Sequence, residues 1–109
     1  MALAPARVSL PASAKRGEIV EIKALIRHPM ETGYRVDSRG RPIPRHIVTR
    51  FAVTYAGEEV FRMDLTQGVA ANPFIAFTTL ARESGELVFT WEDDQGAVVR
   101  VRKHLTVTG

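Results

Sequence analysis

Residues 47 to 65, IVTRFAVTYAGEEVFRMDL, read as two strands joined by a tight turn. Ile47, Thr49, Phe51, Val53 and Tyr55 recur at every second position, the spacing that lines one face of a strand. Phe61, Met63 and Leu65 do the same in the run from Glu59 to Leu65, and Ala56-Gly57 serves as the hairpin connection.

Working outward, the same period continues on both sides. Ala6 to Leu10 is a short strand, and in Glu18 to Arg27 the residues Val20, Ile22, Ala24 and Ile26 share a face. Glu21, Lys23 and Arg27 take the other face together with Ile19 and Leu25. Phe74 to Leu80 is apolar on both faces, which predicts a strand buried between layers. Glu86 to Glu92 groups Leu87, Phe89 and Trp91, and the turn Asp93-Asp94-Gln95-Gly96 leads into Ala97 to Val107. There Val99, Val101, Leu105 and Val107 face inward, and Arg100, Arg102 and His104 outward. No window keeps a 3.6-residue apolar stripe. The expectation is an all-β, immunoglobulin-like antiparallel β-sandwich of about seven strands, with a small closed barrel as the alternative. At 109 residues the chain is expected to form one domain, 1–109.

Composition narrows the chemistry. There is no cysteine, which excludes thiol chemistry, disulfides and cysteine-held metal centres within the chain. No run of about 18 apolar residues is present, and the start, MALAPARVSL, lacks the pattern of an export signal. The net charge is +3, with arginine supplying 12 of the 15 basic residues. Arginine's planar fork suits carboxylate, phosphate and sulfonate oxygens. Because the arginines are scattered over strands and one loop, with no aromatic-rich RNA-binding motif beside them, nucleic-acid binding is not expected.

The long connection from His28 to Arg45, HPMETGYRVDSRGRPIPR, stands out, since a compact domain rarely keeps so long a loop without a use for it. Arg35, Arg39, Arg41 and Arg45 offer several forks on one segment, and Pro42 and Pro44 stiffen its end. The candidate recognition residues are His28, Pro29, Met30, Glu31, Thr32, Gly33, Arg39, Arg41, Pro44 and Arg45. His28 and Met30, with Met63, offer a copper-like set of imidazole and thioether ligands. A histidine at a strand end with methionines in the core is the preferred reading, because three histidines are spread widely along the chain. Glu92, Asp93 and Asp94 are read as a solvated turn rather than a calcium site. No catalytic residue, cofactor or metal is expected.

Four blocks carry a family likeness: HPMETG at 28 to 33, Gly40 with Ile43-Pro44-Arg45, AANPF at 70 to 74, and ESGELVFTWEDDQG at 83 to 96. In this order and spacing, from about Pro11 to Val107, the chain resembles the SoxZ family, the Z subunit of the bacterial sulfur-oxidation carrier complex SoxYZ. The resemblance implies a non-catalytic immunoglobulin-like subunit paired with a Y subunit, whose carboxy-terminal Gly-Gly-Cys-Gly-Gly arm carries sulfur covalently. It further implies transient encounters with the heme, manganese and molybdenum enzymes of thiosulfate oxidation. It implies a periplasmic location too, reached by export on a Y subunit that bears the signal.

Relatives associated with quinoprotein dehydrogenases, and a free-standing anion- or nucleic-acid-binding module, are the alternatives. The apolar residues on both faces of strands 19 to 26 and 74 to 80 exceed what one core requires. One sheet is therefore expected to pack on the partner, or on a second copy when the chain is isolated, with the loop at the rim.

Overall fold

The computed structural model describes residues 6–109. Eight strands follow one another: β1 (Ala6–Ser9), β2 (Ser13–Lys15), β3 (Ile19–Ile26), β4 (Val48–Tyr55), β5 (Glu58–Asp64), β6 (Phe74–Leu80), β7 (Gly85–Asp93) and β8 (Val98–Thr108). They form two sheets, a three-stranded one in the order β1-β3-β6 and a five-stranded one in the order β2-β8-β7-β4-β5. This is an immunoglobulin-like sandwich and not a closed barrel. Among the described residues no helix is long and apolar enough to cross a membrane.

The core forms where the inward faces meet. Val20, Ile22, Ala24 and Ile26 of β3 are buried as their spacing predicts, opposite Phe51, Val53 and Tyr55 of β4, Leu87, Phe89 and Trp91 of β7, and Leu105 of β8. Phe51 packs on Trp91 at 4.9 Å between ring centroids and on Phe89 at 6.4 Å. Across the sandwich it meets Phe77 of β6 at 6.4 Å, and Phe77 stacks on Phe61 at 4.4 Å. Removing such a ring leaves a cavity as well as losing its burial, a cost of about 3–5 kcal/mol.

Three expectations need correction. An eighth strand exists, because β2 runs parallel to β8 from Ser13 opposite Thr106 to Lys15 opposite Thr108. Only Ala14 of its three residues is buried, so it has no alternation to read. Next, β6 is not buried between layers. It lies at a sheet edge beside β3, with Phe74 60% and Leu80 50% exposed on its outward face. Finally, β4 does not keep strict period two at its start. Its pairing with β7 shifts between Val48 and Arg50, a bulge that leaves Val48 1% exposed in the core beside Ile47. Thr49, expected inward, is only half-buried, and its hydroxyl donates to the Glu92 carbonyl at 3.3 Å.

Tyr55 ends β4 with its ring fully buried. Its hydroxyl donates to the Glu83 carbonyl and accepts from the amides of Arg82 and Glu83, each at 3.2 Å. That ties the β6–β7 connection to the far sheet. Tyr55→Phe keeps the ring and orphans those three backbone groups, so it should cost about 1–2 kcal/mol. Urea denaturation followed by tryptophan fluorescence would measure the loss; an unchanged midpoint would mean the three bonds add nothing net.

Candidate functional site

The connection between β3 and β4 is a folded arm. Its two limbs are joined at the root by amide-to-carbonyl bonds exchanged between Glu31 and His46, at 2.7 and 2.9 Å. Further out, the Ile43 amide donates to the Arg35 carbonyl at 2.9 Å, and Val36 pairs with Pro42. The Asp37 carboxylate closes the tip by accepting from the amides of Arg39 and Arg41 at 2.8 and 3.0 Å, with Gly40 at φ +76°. An aspartate that caps its own turn is a common way to fix such a tip. No residue between Thr32 and Arg45 is buried, and Tyr34 and Val36 are 78% and 59% exposed.

The expected recognition residues divide into two groups. His28 and Met30 are buried at 5% and 4% exposure, and belong to the root. The Met30 sulfur accepts from the Val48 amide at 3.2 Å, so it is engaged as a packing residue. Met63 sits on β5 opposite Phe51. Pro29 and Pro44 are exposed, and Glu31, Thr32 and Gly33 half-buried. Thr32 accepts from the Tyr34 amide at 3.1 Å. Of the four arginines, Arg35 is held by Glu31, whose carboxyl that bond draws below its usual range. Arg45 donates to Asp94 at 3.0 Å. Arg39 and Arg41 make no ion pair with the described residues and present free guanidinium groups at the tip.

Residues far apart in sequence converge on the root. The His28 amide donates to Asn72 Oδ1 at 3.0 Å, and the Asn72 amide returns to the His28 carbonyl at 2.8 Å. Asp94 accepts from the Ile47 amide at 3.1 Å as well as from Arg45. His28 and His46 lie edge to face with centroids 4.5 Å apart. Their Nε2 atoms are 3.4 Å apart, and His46 Nε2 is 3.0 Å from Asp93 Oδ2.

Burial, helped by the neighbouring His46 and opposed by Asp93 and Asp94, lowers the His28 imidazole below its ordinary value. Burial alone would raise Asp93. Hydrogen bonds from His46 and from the Ala97 and Gln95 amides outweigh it and hold that carboxyl low.

Sequence reading missed His46 and the inward role of Asp93. The histidines looked dispersed, yet two of them are brought together by the Glu31–His46 bridge. The acidic triplet is no free turn, since Asp93 and Asp94 both face the root. The one sequence signal was the position of each at the end of a strand-like run.

A second feature lies on the outer face of the three-stranded sheet. Ile19 pairs with Leu80 and Leu25 with Phe74 across β3 and β6. Ile19 is 71% exposed. Arg7, Val8, Ser9, Lys23, Leu25 and Phe74 line a shallow depression of about 310 Å³ on the same sheet.

Comparison with known proteins follows the same lines. The family profile described as Sulphur oxidation protein SoxZ matches residues 7–104. No curated protein matches. Among solved structures, a superoxide reductase (neelaredoxin) variant from Ignicoccus hospitalis aligns with a TM-score of 0.75 at 17% identity, over 94% of this chain and 79% of that one. The sulfur carrier protein SoxY from Chlorobium limicola f thiosulfatophilum aligns with a TM-score of 0.68 at 14% identity, over 95% and 79%. A superoxide reductase described from Thermotoga maritima gives 0.67 at 17%, over 95% and 86%. At such identities the likeness is one of fold.

The arm's root sets a steric test. Gly33 has φ +88°, and a Cβ there would stand 3.0 Å from the Arg45 Cβ on the opposite limb. Gly33→Ala meets both the left-handed backbone and that contact, so it should destabilise by about 1–2 kcal/mol. Thermal unfolding checks this, and faster proteolysis within the arm should accompany it.

Proposed function

This chain belongs to the SoxZ family of sulphur oxidation proteins, and on that premise we propose that it is the non-catalytic subunit of a sulfur carrier heterodimer. Its role lies in the Sox carrier complex. The observation that carries the reading is the family match over residues 7–104. The absence of cysteine agrees with it: the covalent sulfur has to ride on a partner. On this reading the Y subunit supplies the cysteine-bearing Gly-Gly-Cys-Gly-Gly arm, and the pair works in the periplasm, exported together.

The outer face of β1, β3 and β6 is the pairing surface in this proposal. Ile19, Leu25, Phe74 and Leu80 form an apolar stripe with the Lys23–Glu21 ion pair between its ends. A stable interface buries about 800 Å² per partner and is most apolar at its centre. The arm, with Arg39 and Arg41 free, stands ready to meet the enzymes that act on the carried sulfur. Rim charges of that kind mainly set encounter rates.

Purification of the chain from cells grown on a reduced sulfur compound, followed by intact mass measurement, tests the whole reading. A stoichiometric partner with a glycine-flanked cysteine and sulfur mass adducts is expected. Recovery of the chain alone, or with nucleic acid, would reopen the function.

Two substitutions refine the test. Phe74→Glu places a charge at the Leu25 end of the stripe on a side chain that is 60% exposed, so it should weaken pairing about thirtyfold, or about 2 kcal/mol. Calorimetric titration with the Y subunit would read this, and unchanged affinity would remove the face from the interface. The double variant Arg39→Glu with Arg41→Glu should slow turnover of the carrier by its enzymes several-fold at low salt and leave pairing intact. If turnover is equal at low salt, the arm has no steering role. Arg45 is unsuited to this experiment, because its loss also breaks the contact with Asp94.

A further inference from the structure

We infer that His28, His46 and Asp93 form a binding site for a divalent cation of borderline softness, with Zn²⁺ the best fit. One ligand atom from each lies within 4.8 Å of the others. Two of the three spacings suit a tetrahedral ion, since Zn–N bonds of about 2.0–2.1 Å place neighbouring ligand atoms about 3.3 Å apart, and the third, between His28 and Asp93, has to draw in from its bound of 4.8 Å as the ion enters. The two Nε2 atoms are 3.4 Å apart and His46 Nε2 lies 3.0 Å from Asp93 Oδ2. Two imidazoles and a carboxylate are a set that zinc accepts, leaving a fourth position for water or an outside ligand. The site is anchored on three sides, by the end of β3, the start of β4 and the end of β7.

Proton counting gives the cluster a reason to take an ion. The His28 Nδ1 accepts from the Met30 amide at 3.0 Å, so the neutral ring carries its proton on Nε2. That N–H points at His46 Nε2. If His46 Nε2 is protonated it serves Asp93 and opposes the His28 proton. If it is bare it serves His28 and turns a lone pair on an ionised carboxylate. No placement of the ring protons satisfies both contacts.

A cation between the three atoms replaces those protons, on one condition. His28 bound through Nε2 has to carry its proton on Nδ1, where the Met30 amide now donates. Metal-bound histidines ordinarily donate that second N–H to an acceptor. Met30 holds the unfavourable φ of +50°. Turning over the peptide between Pro29 and Met30 returns Met30 to negative φ, withdraws its amide and swings the Pro29 carbonyl toward Nδ1 as the acceptor. Proline fixes its own φ but leaves its ψ free for this rotation. Ion binding and the backbone of the arm's root are therefore coupled.

The test uses the untagged full chain, stripped with chelator and titrated with Zn²⁺ in a calorimeter. One equivalent should bind and raise the melting temperature. His46→Asn and Asp93→Asn should each weaken binding at least about 100-fold, beyond the usual effect of an outer-shell loss. The Asp93→Asn variant keeps a carbonyl for the Gln95 and Ala97 amides. His104→Gln, an exposed histidine outside the cluster, should change nothing. Nitrogen-15 spectra of the wild type should show His28 moving from an Nε2–H to an Nδ1–H ring when zinc is added. Absence of stoichiometric binding by the folded wild type, full binding by both cluster variants, or a His28 that keeps Nε2–H with zinc present would each overturn the site. None of these outcomes bears on pairing with the Y subunit, which the mass measurement decides separately.

Discussion

The packing of Phe77 against Phe51 and Phe61 is the joint on which the sandwich depends, because these contacts link two sheets of unequal size through their aromatic rings. Phe51 draws Phe61, Phe89 and Trp91 of its own sheet around it and meets Phe77 of the smaller sheet. The inward face of β6 is spent on this joint. Its outward face, with Phe74 and Leu80, is left exposed by the described residues. A three-stranded sheet with apolar residues on both faces is therefore buried on one side and exposed on the other. That asymmetry, rather than any pocket, is what the proposed pairing surface rests on.

The same division into two sheets explains the arm. β3 lies in the small sheet and β4 in the large one, so the chain between Ile26 and Val48 has to cross from one to the other. Such a crossing leaves backbone groups outside either ladder, and buried ones need partners. Asn72, Asp94 and the Glu31–His46 bridge supply them. The root is consequently a dense polar knot, and beyond it the chain is free to extend as an exposed hairpin.

Most of the fold was legible because period two survives wherever a strand has one buried face. In β3, β7 and most of β4 the alternation of Val20 to Ile26, Leu87 to Trp91 and Phe51 to Tyr55 maps onto buried side chains. It failed in three physical situations. β2 is held by backbone pairing to β8, which leaves almost no side-chain pattern. The bulge near Thr49 breaks the parity that puts Val48 inside. In β6 the apolar residues of both faces read as double burial, although one face is exposed. The arm could be read as a loop of consequence, but not which arginines were free: that depended on Asp94 and Glu31, contacts no local pattern encodes.

The blocks that carry the family likeness turn out to be the blocks that build the root. HPMETG supplies His28 and Met30, the Ile43-Pro44-Arg45 block supplies the limb that meets Asp94, AANPF supplies Asn72, and WEDDQG supplies Asp93 and Asp94. A likeness made of anchors speaks to how the arm is held more than to what its tip contacts. Arg39 and Arg41 lie outside those anchors, so the family resemblance does not assign them a role. Asp93 meets His46 beside Asp94, which holds the Ile47 amide and Arg45. Thus the geometry that places the arm also sets the spacing of His28, His46 and Asp93, and a change in either would be felt in the other.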